Sequence, residues 1–271
     1  MTTHRIIGGG GIELHVDETG NPNGKAILLI HGFSQCRLAW NKQMKSELAN
    51  DFRLVAMDIR GHGLSEKPRD AYGDSKLWAD DVHAVLTGLE LDQPVLSGWS
   101  YGGAIICDYI RFYGEDQIGG LHFVGATSKL GDPVMPFLGE EFVACVPGFF
   151  ATDVDESAAA LQKFMRLCVH QEPTPEDFYF FLGYNTIVPP YVRAGLFGRE
   201  LNNDDLLPSL RKPVLITHGE ADAILRLEIA KYHASVINQA QTSYYPQIGH
   251  APFWEDAERF NHELRTFASS L

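Results

Sequence analysis

The sequence predicts an α/β fold, a doubly wound, mostly parallel sheet, and three observations carry that expectation. Short apolar runs of strand length alternate with amphipathic runs of helical period, the pattern of successive βαβ units. The run 26–30 is apolar on both faces, as a central strand covered by helices on both sides must be. The 271 residues, 45% hydrophobic, are enough to bury a substantial core.

The chain opens as a β-hairpin. Residues 4–7 and 12–16 flank the four glycines at 8–11, and the second run alternates apolar and polar. The glycines precede a strand and not a helix, so they read as a turn and not as a dinucleotide loop. Asn21-Pro22-Asn23-Gly24 then turns the chain into the apolar run 26–30. A helix near 41–48, a strand over 53–57, a helix over 77–89, a strand over 95–98, a helix over 101–113 and a strand over 121–124 follow. Residues 127–206 break the alternation with Pro133, Pro136, Pro147, Pro173, Pro175, Pro189 and Pro190. It resumes with a strand at 213–217, a helix at 224–236 and a strand at 242–245. The last helix carries Ala257, Phe260, Leu264 and Phe267 on one face. The predicted organisation is a core of residues 1–126 and 207–271, with a helical lid, 127–206, inserted after the sixth strand.

A net charge of −13 argues against nucleic acid or an anionic membrane as partner, since both want a basic face. No apolar run is long enough to span a bilayer, and Met1-Thr2-Thr3-His4-Arg5 leads into strand-like sequence without the apolar stretch of a signal peptide. Cys36, Cys107, Cys145 and Cys168 show no CxxC spacing and read as reduced thiols of a cytoplasmic protein. With no H-E-x-x-H or similar cluster, neither a metal nor another cofactor is expected. The expected partner is a small-molecule substrate, and the chain is compatible with a homo-oligomer.

The chemistry concentrates at Gly98-Trp99-Ser100-Tyr101-Gly102-Gly103, a G-x-S-x-G between a predicted strand and a predicted helix. Glycine on either side lets strand and helix close around a serine held at the tip of the turn. Ser100 then stands near a helix N-terminus, whose free N–H groups favour an oxyanion. A serine hydroxyl needs a base to take its proton. His250, in Gly249-His250-Ala251-Pro252 after the last strand, sits in the loop where that base belongs. Asp222, in His218-Gly219-Glu220-Ala221-Asp222, follows the strand at 213–217 and would orient the imidazole. Glu220 is the near rival of Asp222, but the spacing after the strand favours Asp222. Among eleven histidines, His250 alone combines the terminal loop with the chain order Ser, Asp, His. The loop His31-Gly32-Phe33-Ser34 follows the strand 26–30 and can aim the Phe33 N–H at the same point as the Tyr101 N–H, a two-donor oxyanion hole.

These segments, with Asp58-Ile59-Arg60-Gly61-His62-Gly63-Leu64-Ser65 between them, resemble the α/β-hydrolase superfamily from about residue 4 to the C-terminus, the lid excepted. Within it the chain is most similar to the esterases and the cofactor-free haloperoxidases (perhydrolases). The resemblance implies an α/β-hydrolase fold with Ser100, Asp222 and His250 as the triad. Perhydrolases usually carry proline after the oxyanion-hole aromatic, and Ser34 stands there instead, which speaks against efficient perhydrolysis. The expected activity is hydrolysis of a small, mostly apolar carboxylic ester or lactone through an acyl-enzyme. The alternatives are a carbon–carbon bond hydrolase or lyase using the same triad, and a lid-gated ligand sensor that retains it.

Asp58 and the turn Arg60-Gly61-His62-Gly63 read as scaffold, and Cys36 as a small buried filler. Residues 131–200 hold twelve of the chain's thirty aromatics. Most must pack the lid, but the run Phe178-Tyr179-Phe180-Phe181 cannot bury every ring on one helical face. Phe181 is therefore expected at the substrate, together with Trp99 and Ser34 from the scaffold.

Overall fold

In the computed structural model, which describes residues 1–271, the hairpin strands β1 (Thr2–Ile7) and β2 (Glu13–Gly20) pair antiparallel across a 3-10 turn at Gly9–Gly11. The wholly buried strand β3 (Ala26–Ile30) leads to two short helical turns, α1 (Asn41–Met44) and α2 (Leu48–Asp51), where one helix was expected. Next come β4 (Arg53–Met57) and α3 (Ser75–Gly88), whose N-terminus is capped by the Asp74 carboxylate accepting the Lys76 N–H at 2.8 Å. The elbow lies between β5 (Val95–Trp99) and α4 (Tyr101–Tyr113), with β6 (Gly120–Val124) after it.

Beyond β6 the chain leaves the sheet. Strand β7 (Lys129–Leu130) pairs antiparallel with β8 (Leu201–Asn202), a two-residue ribbon that joins the start and end of a helical excursion. Between them stand α5 (Glu140–Phe150), α6 (Val154–Leu167), α7 (Pro175–Thr186) and α8 (Pro190–Phe197). The sheet resumes at β9 (Val214–Gly219), followed by α9 (Glu228–Val236), β10 (Ala240–Tyr245), the short turn α10 (Pro252–Glu255) and α11 (Ala257–Ser269). Helix α9 starts four residues later than the periodicity implies. The Asp222 carboxylate accepts the N–H groups of Ile224 and Leu225 at 2.8 and 2.9 Å, holding those residues in a side-chain turn instead of a helix.

The eight-stranded sheet runs β1-β2-β4-β3-β5-β6-β9-β10, antiparallel only at β1–β2 and β2–β4. Because β3, β5, β6, β9 and β10 are parallel, the loops after each emerge at one edge, where open α/β sheets place their sites. Helices cover both faces, so every residue of β3, β5, β6 and β9 is buried.

Candidate active site

Ser100 has φ +55° and ψ −116°, a backbone conformation that costs an L-residue and persists only when its surroundings over-determine it. Its N–H donates to the Val124 carbonyl at 3.0 Å, and its own carbonyl accepts from Gly103 and Thr127 at 3.0 and 3.1 Å. The flanking glycines are steric requirements. A Cβ on Gly98 would stand 2.6 Å from the Gly102 carbonyl oxygen, and one on Gly102 would stand 2.6 Å from that of Ile30. The turn therefore drives Ser100 out of the sheet edge, half-buried, at the start of α4.

The β3 loop closes onto it. A Cβ on Gly32 would meet Ser100 Cβ at 2.8 Å and Oγ at 3.4 Å, so the loop backbone lies directly on the serine. Phe33 follows, and its N–H donates to no protein acceptor. Tyr101 is the first residue of α4, where helix amides have no partner within the helix. Phe33, Ser100 and Tyr101 share the wall of one cavity of about 280 Å³, completed chiefly by apolar side chains such as Leu130, Val134, Leu138, Phe142 and Leu196.

His250 and Asp222 are brought together as expected. His250 Nδ1–H donates to Asp222 Oδ2 at 2.7 Å, and both side chains are buried. The loops that carry them interlock at Gly219, where a Cβ would lie 2.0 Å from the Gly249 carbonyl oxygen. On its own, burial would push the Asp222 carboxyl up. The facing His250 and His218 imidazoles outweigh it and hold the group well below the usual carboxylate range. An imidazole fixed by Nδ1–H on a carboxylate leaves Nε2 as its proton acceptor. The ring lies over the end of β6, since a Cβ on Gly125 would be 3.3 Å from Nδ1, and it neighbours Trp99 at a centroid separation of 5.4 Å. Ser100 Oγ and His250 Nε2 are not hydrogen bonded to each other, and such contacts often tighten only with substrate bound.

Three expected substrate residues lie elsewhere. Trp99 is buried with its indole N–H on the His250 carbonyl at 2.8 Å, pinned beneath the site because β5 still alternates at that residue. Ser34 is fully buried, and its hydroxyl is taken by Arg193 from α8. Phe181 packs edge-on against Trp254 at 4.8 Å and, with Trp99, lines a separate small cavity. In the expected four-ring run, Tyr179 is the ring left exposed. The rings that α5 and α8 bring to the Ser100 cavity are Phe142 and Phe197, and Phe197 packs edge-on against Phe33 at 4.9 Å.

Two supporting residues escaped the sequence reading. His218 Nε2 faces the Leu225 carbonyl at 2.8 Å and Asp222 Oδ2 at 3.2 Å, so it carries the ring proton and steadies the carboxylate. Glu255 accepts the N–H groups of Gly249 and His170 at 2.7 Å, tying the His250 loop to the segment after α6. Asp58 does serve as scaffold, accepting from Arg37 and Leu64, and burial pushes the Cys36 thiol up to about 12. No group of three or more His, Cys, Asp or Glu side chains is arranged to hold a metal ion.

A family model described as the alpha/beta hydrolase fold matches residues 25–257. An esterase from Rhodococcus sp. ECU1013 superposes with a TM-score of 0.96 at 36% identity over 100% of both chains. The bifunctional esterase/perhydrolase DCH of Acinetobacter calcoaceticus is 28% identical over 278 residues, covering 96% of this chain and 97% of the relative. The 2-hydroxymuconate semialdehyde hydrolase of Pseudomonas sp. (strain CF600) is 27% identical over 269 residues, 94% of this chain and 90% of its own. With the elbow, the Asp–His pair and the sheet order in hand, the chain belongs to the alpha/beta hydrolase fold family and is an enzyme of that family.

Proposed function

We propose that the protein hydrolyses small, mostly apolar carboxylic esters or lactones through an acyl-enzyme on Ser100. The observation that carries this reading is the shared wall of Phe33, Ser100 and Tyr101 in an apolar cavity. Ser100 Oγ attacks the substrate carbonyl while His250 Nε2 takes its proton, and Asp222 stabilises the resulting imidazolium. The carbonyl oxygen, now an oxyanion, accepts the N–H groups of Phe33 and Tyr101. Collapse breaks the ester C–O bond, and the His250 proton leaves with the alcohol. Water, deprotonated by the same imidazole, then releases the acid and restores Ser100.

The helices from α5 to α8 act in this reading as a lid of residues 127–206 over a core of 1–126 and 207–271. The lid meets the oxyanion loop through the Phe33–Phe197 contact. Four free, buried cysteines suit a reducing cytoplasm. No helix is long and apolar enough to cross a membrane. A second reading, cleavage of a carbon–carbon bond with the same three residues, draws on the similarity to a 2-hydroxymuconate semialdehyde hydrolase. A panel of p-nitrophenyl esters, lactones and a β-diketone, run beside Ser100→Ala, tests both. A burst of p-nitrophenol with one equivalent per enzyme supports the first reading. Turnover of the β-diketone alone would replace it with the second, and full activity in Ser100→Ala would overturn both.

A further inference from the structure

The Ser34 hydroxyl, adjacent to Phe33, accepts from a buried cation that comes from the lid. Arg193, in α8, is 1% exposed; its Nε–H donates to Ser34 Oγ at 2.8 Å, and an Nη2–H donates to the Asn185 carbonyl at 2.7 Å. No carboxylate faces this guanidinium, and burial alone lowers it to about 10. The other two buried arginines do have counter-charges: Arg60 pairs with Asp81 at 2.7 Å and Arg199 with Asp108 at 2.7 Å. A buried charge without a partner is costly, and folds keep such costs at functional sites.

What Arg193 grips is itself strained and over-determined. Ser34 has φ +59°, in the left-handed region that disfavours serine. Its N–H donates to His62 Nε2 at 3.2 Å, and His62 is set in turn by its Nδ1–H on the Arg60 carbonyl at 2.9 Å. The Phe33 peptide is thus trapped between Gly32, which lies on Ser100, and Ser34, which is held at its N–H by the core and at its hydroxyl by the lid. Resting on the reading of the Phe33 N–H as an oxyanion donor, we propose that Arg193 is a positioning residue for the oxyanion hole. It clamps Ser34 so that the Phe33 N–H keeps its aim, and it brings an uncancelled positive charge to that loop. Both effects favour the oxyanion over the neutral ester, so they act on kcat and not on KM.

The test compares Arg193→Gln, Arg193→Lys and Ser34→Ala with the parent enzyme on its best p-nitrophenyl ester. It also measures affinity for an alkyl boronic acid, which forms a tetrahedral adduct with Ser100. Arg193→Gln is expected to lower kcat on the order of ten- to a hundredfold with KM little changed, somewhat less than deleting a donor outright. Boronic acid affinity should fall in the same proportion, and Arg193→Lys, which restores the charge without the planar fork, should recover part of both. Ser34→Ala removes the clamp and leaves the charge, so it should move both readouts the same way by less. A folded Arg193→Gln with parental kcat and boronic acid affinity, or with a loss in KM alone, overturns the proposal. Should Arg193→Gln not fold, Ser34→Ala decides on the same readouts. Ser100→Ala runs in parallel: activity surviving there sinks the acyl-enzyme reading itself, whereas an inactive Ser100→Ala beside unaffected Arg193→Gln and Ser34→Ala sinks only this inference.

Discussion

The Trp99 indole N–H donates to the backbone carbonyl of His250 at 2.8 Å. The residue before the proposed nucleophile thereby holds the residue proposed to take its proton. Trp99 also packs edge-on against Phe253 at 4.8 Å, so its ring is fixed from both sides of the His250 loop. Trp99→Phe keeps the packing and removes the hydrogen bond, a change worth roughly 1 kcal/mol for a neutral pair. We expect kcat to fall about fivefold, the equivalent of that energy, with KM nearly unchanged. A KM effect without a kcat effect in steady-state kinetics would return Trp99 to the substrate wall.

The proposed triad should behave as one unit. Ser100→Ala, His250→Ala and Asp222→Asn are each expected to cut turnover by about three orders of magnitude or more, and the double variants by little more than the singles. The melting point should move least for Ser100→Ala, because the serine hydroxyl serves no structural bond. Asp222→Asn should cost stability as well, since that carboxylate accepts from Ile224, Leu225 and His250 together. Strict additivity of the losses would show that the three residues act separately.

Acid should unfold the protein through histidines kept neutral inside it. Burial lowers His31 from 6.5 to about 4, lowers His122 and His233 to about 3, and lowers His62 well below 6.5. Above pH 6.5 these rings are neutral in both folded and unfolded chains, and they add no pH dependence. Below it the unfolded chain binds protons that the fold refuses, so stability falls with pH until the folded values are reached. Each such ring contributes a slope of up to about 1.4 kcal/mol per pH unit in that window. Urea unfolding at pH 7.5, 6 and 5 should show the decline. His122→Gln, which can still bond Ser97 and Thr217, should flatten it by one ring's share. A stability that holds level down to pH 5 would contradict the assignment.

The strands and the elbow were legible in the sequence because their signals are local. Apolar runs bounded by turns mark β3 to β6, and Gly98 and Gly102 announce a close approach of backbone to backbone. The pairing of Asp222 with His250 was legible because loop position and spacing after a strand, together with chain order, rank the candidates. Ser34 and Phe181 were not. The hydroxyl of Ser34 meets its partner 159 positions away, and no spacing encodes that encounter. In the Phe178–Phe181 run each ring has equal apolar appetite, so the inward face is chosen by where Trp254 stands after folding. Local pattern fixes which residues are buried more readily than it fixes what they are buried against.

The cavity sets the last expectation. Leu130, Val134, Leu138 and Leu196 offer apolar surface next to Ser100, so each CH₂ added to an acyl chain should gain up to about 0.8 kcal/mol, close to fourfold in kcat/KM. The gain must stop when roughly 280 Å³ is filled, because a further methylene then has to displace packed side chains. A series of p-nitrophenyl esters from acetate to decanoate should rise, peak and fall. Leu196→Phe narrows the cavity and should move the peak to shorter chains, while Leu196→Ala should move it to longer ones. A profile that keeps climbing to the longest chain, or a peak that ignores both substitutions, would mean that the acyl group lies outside this cavity.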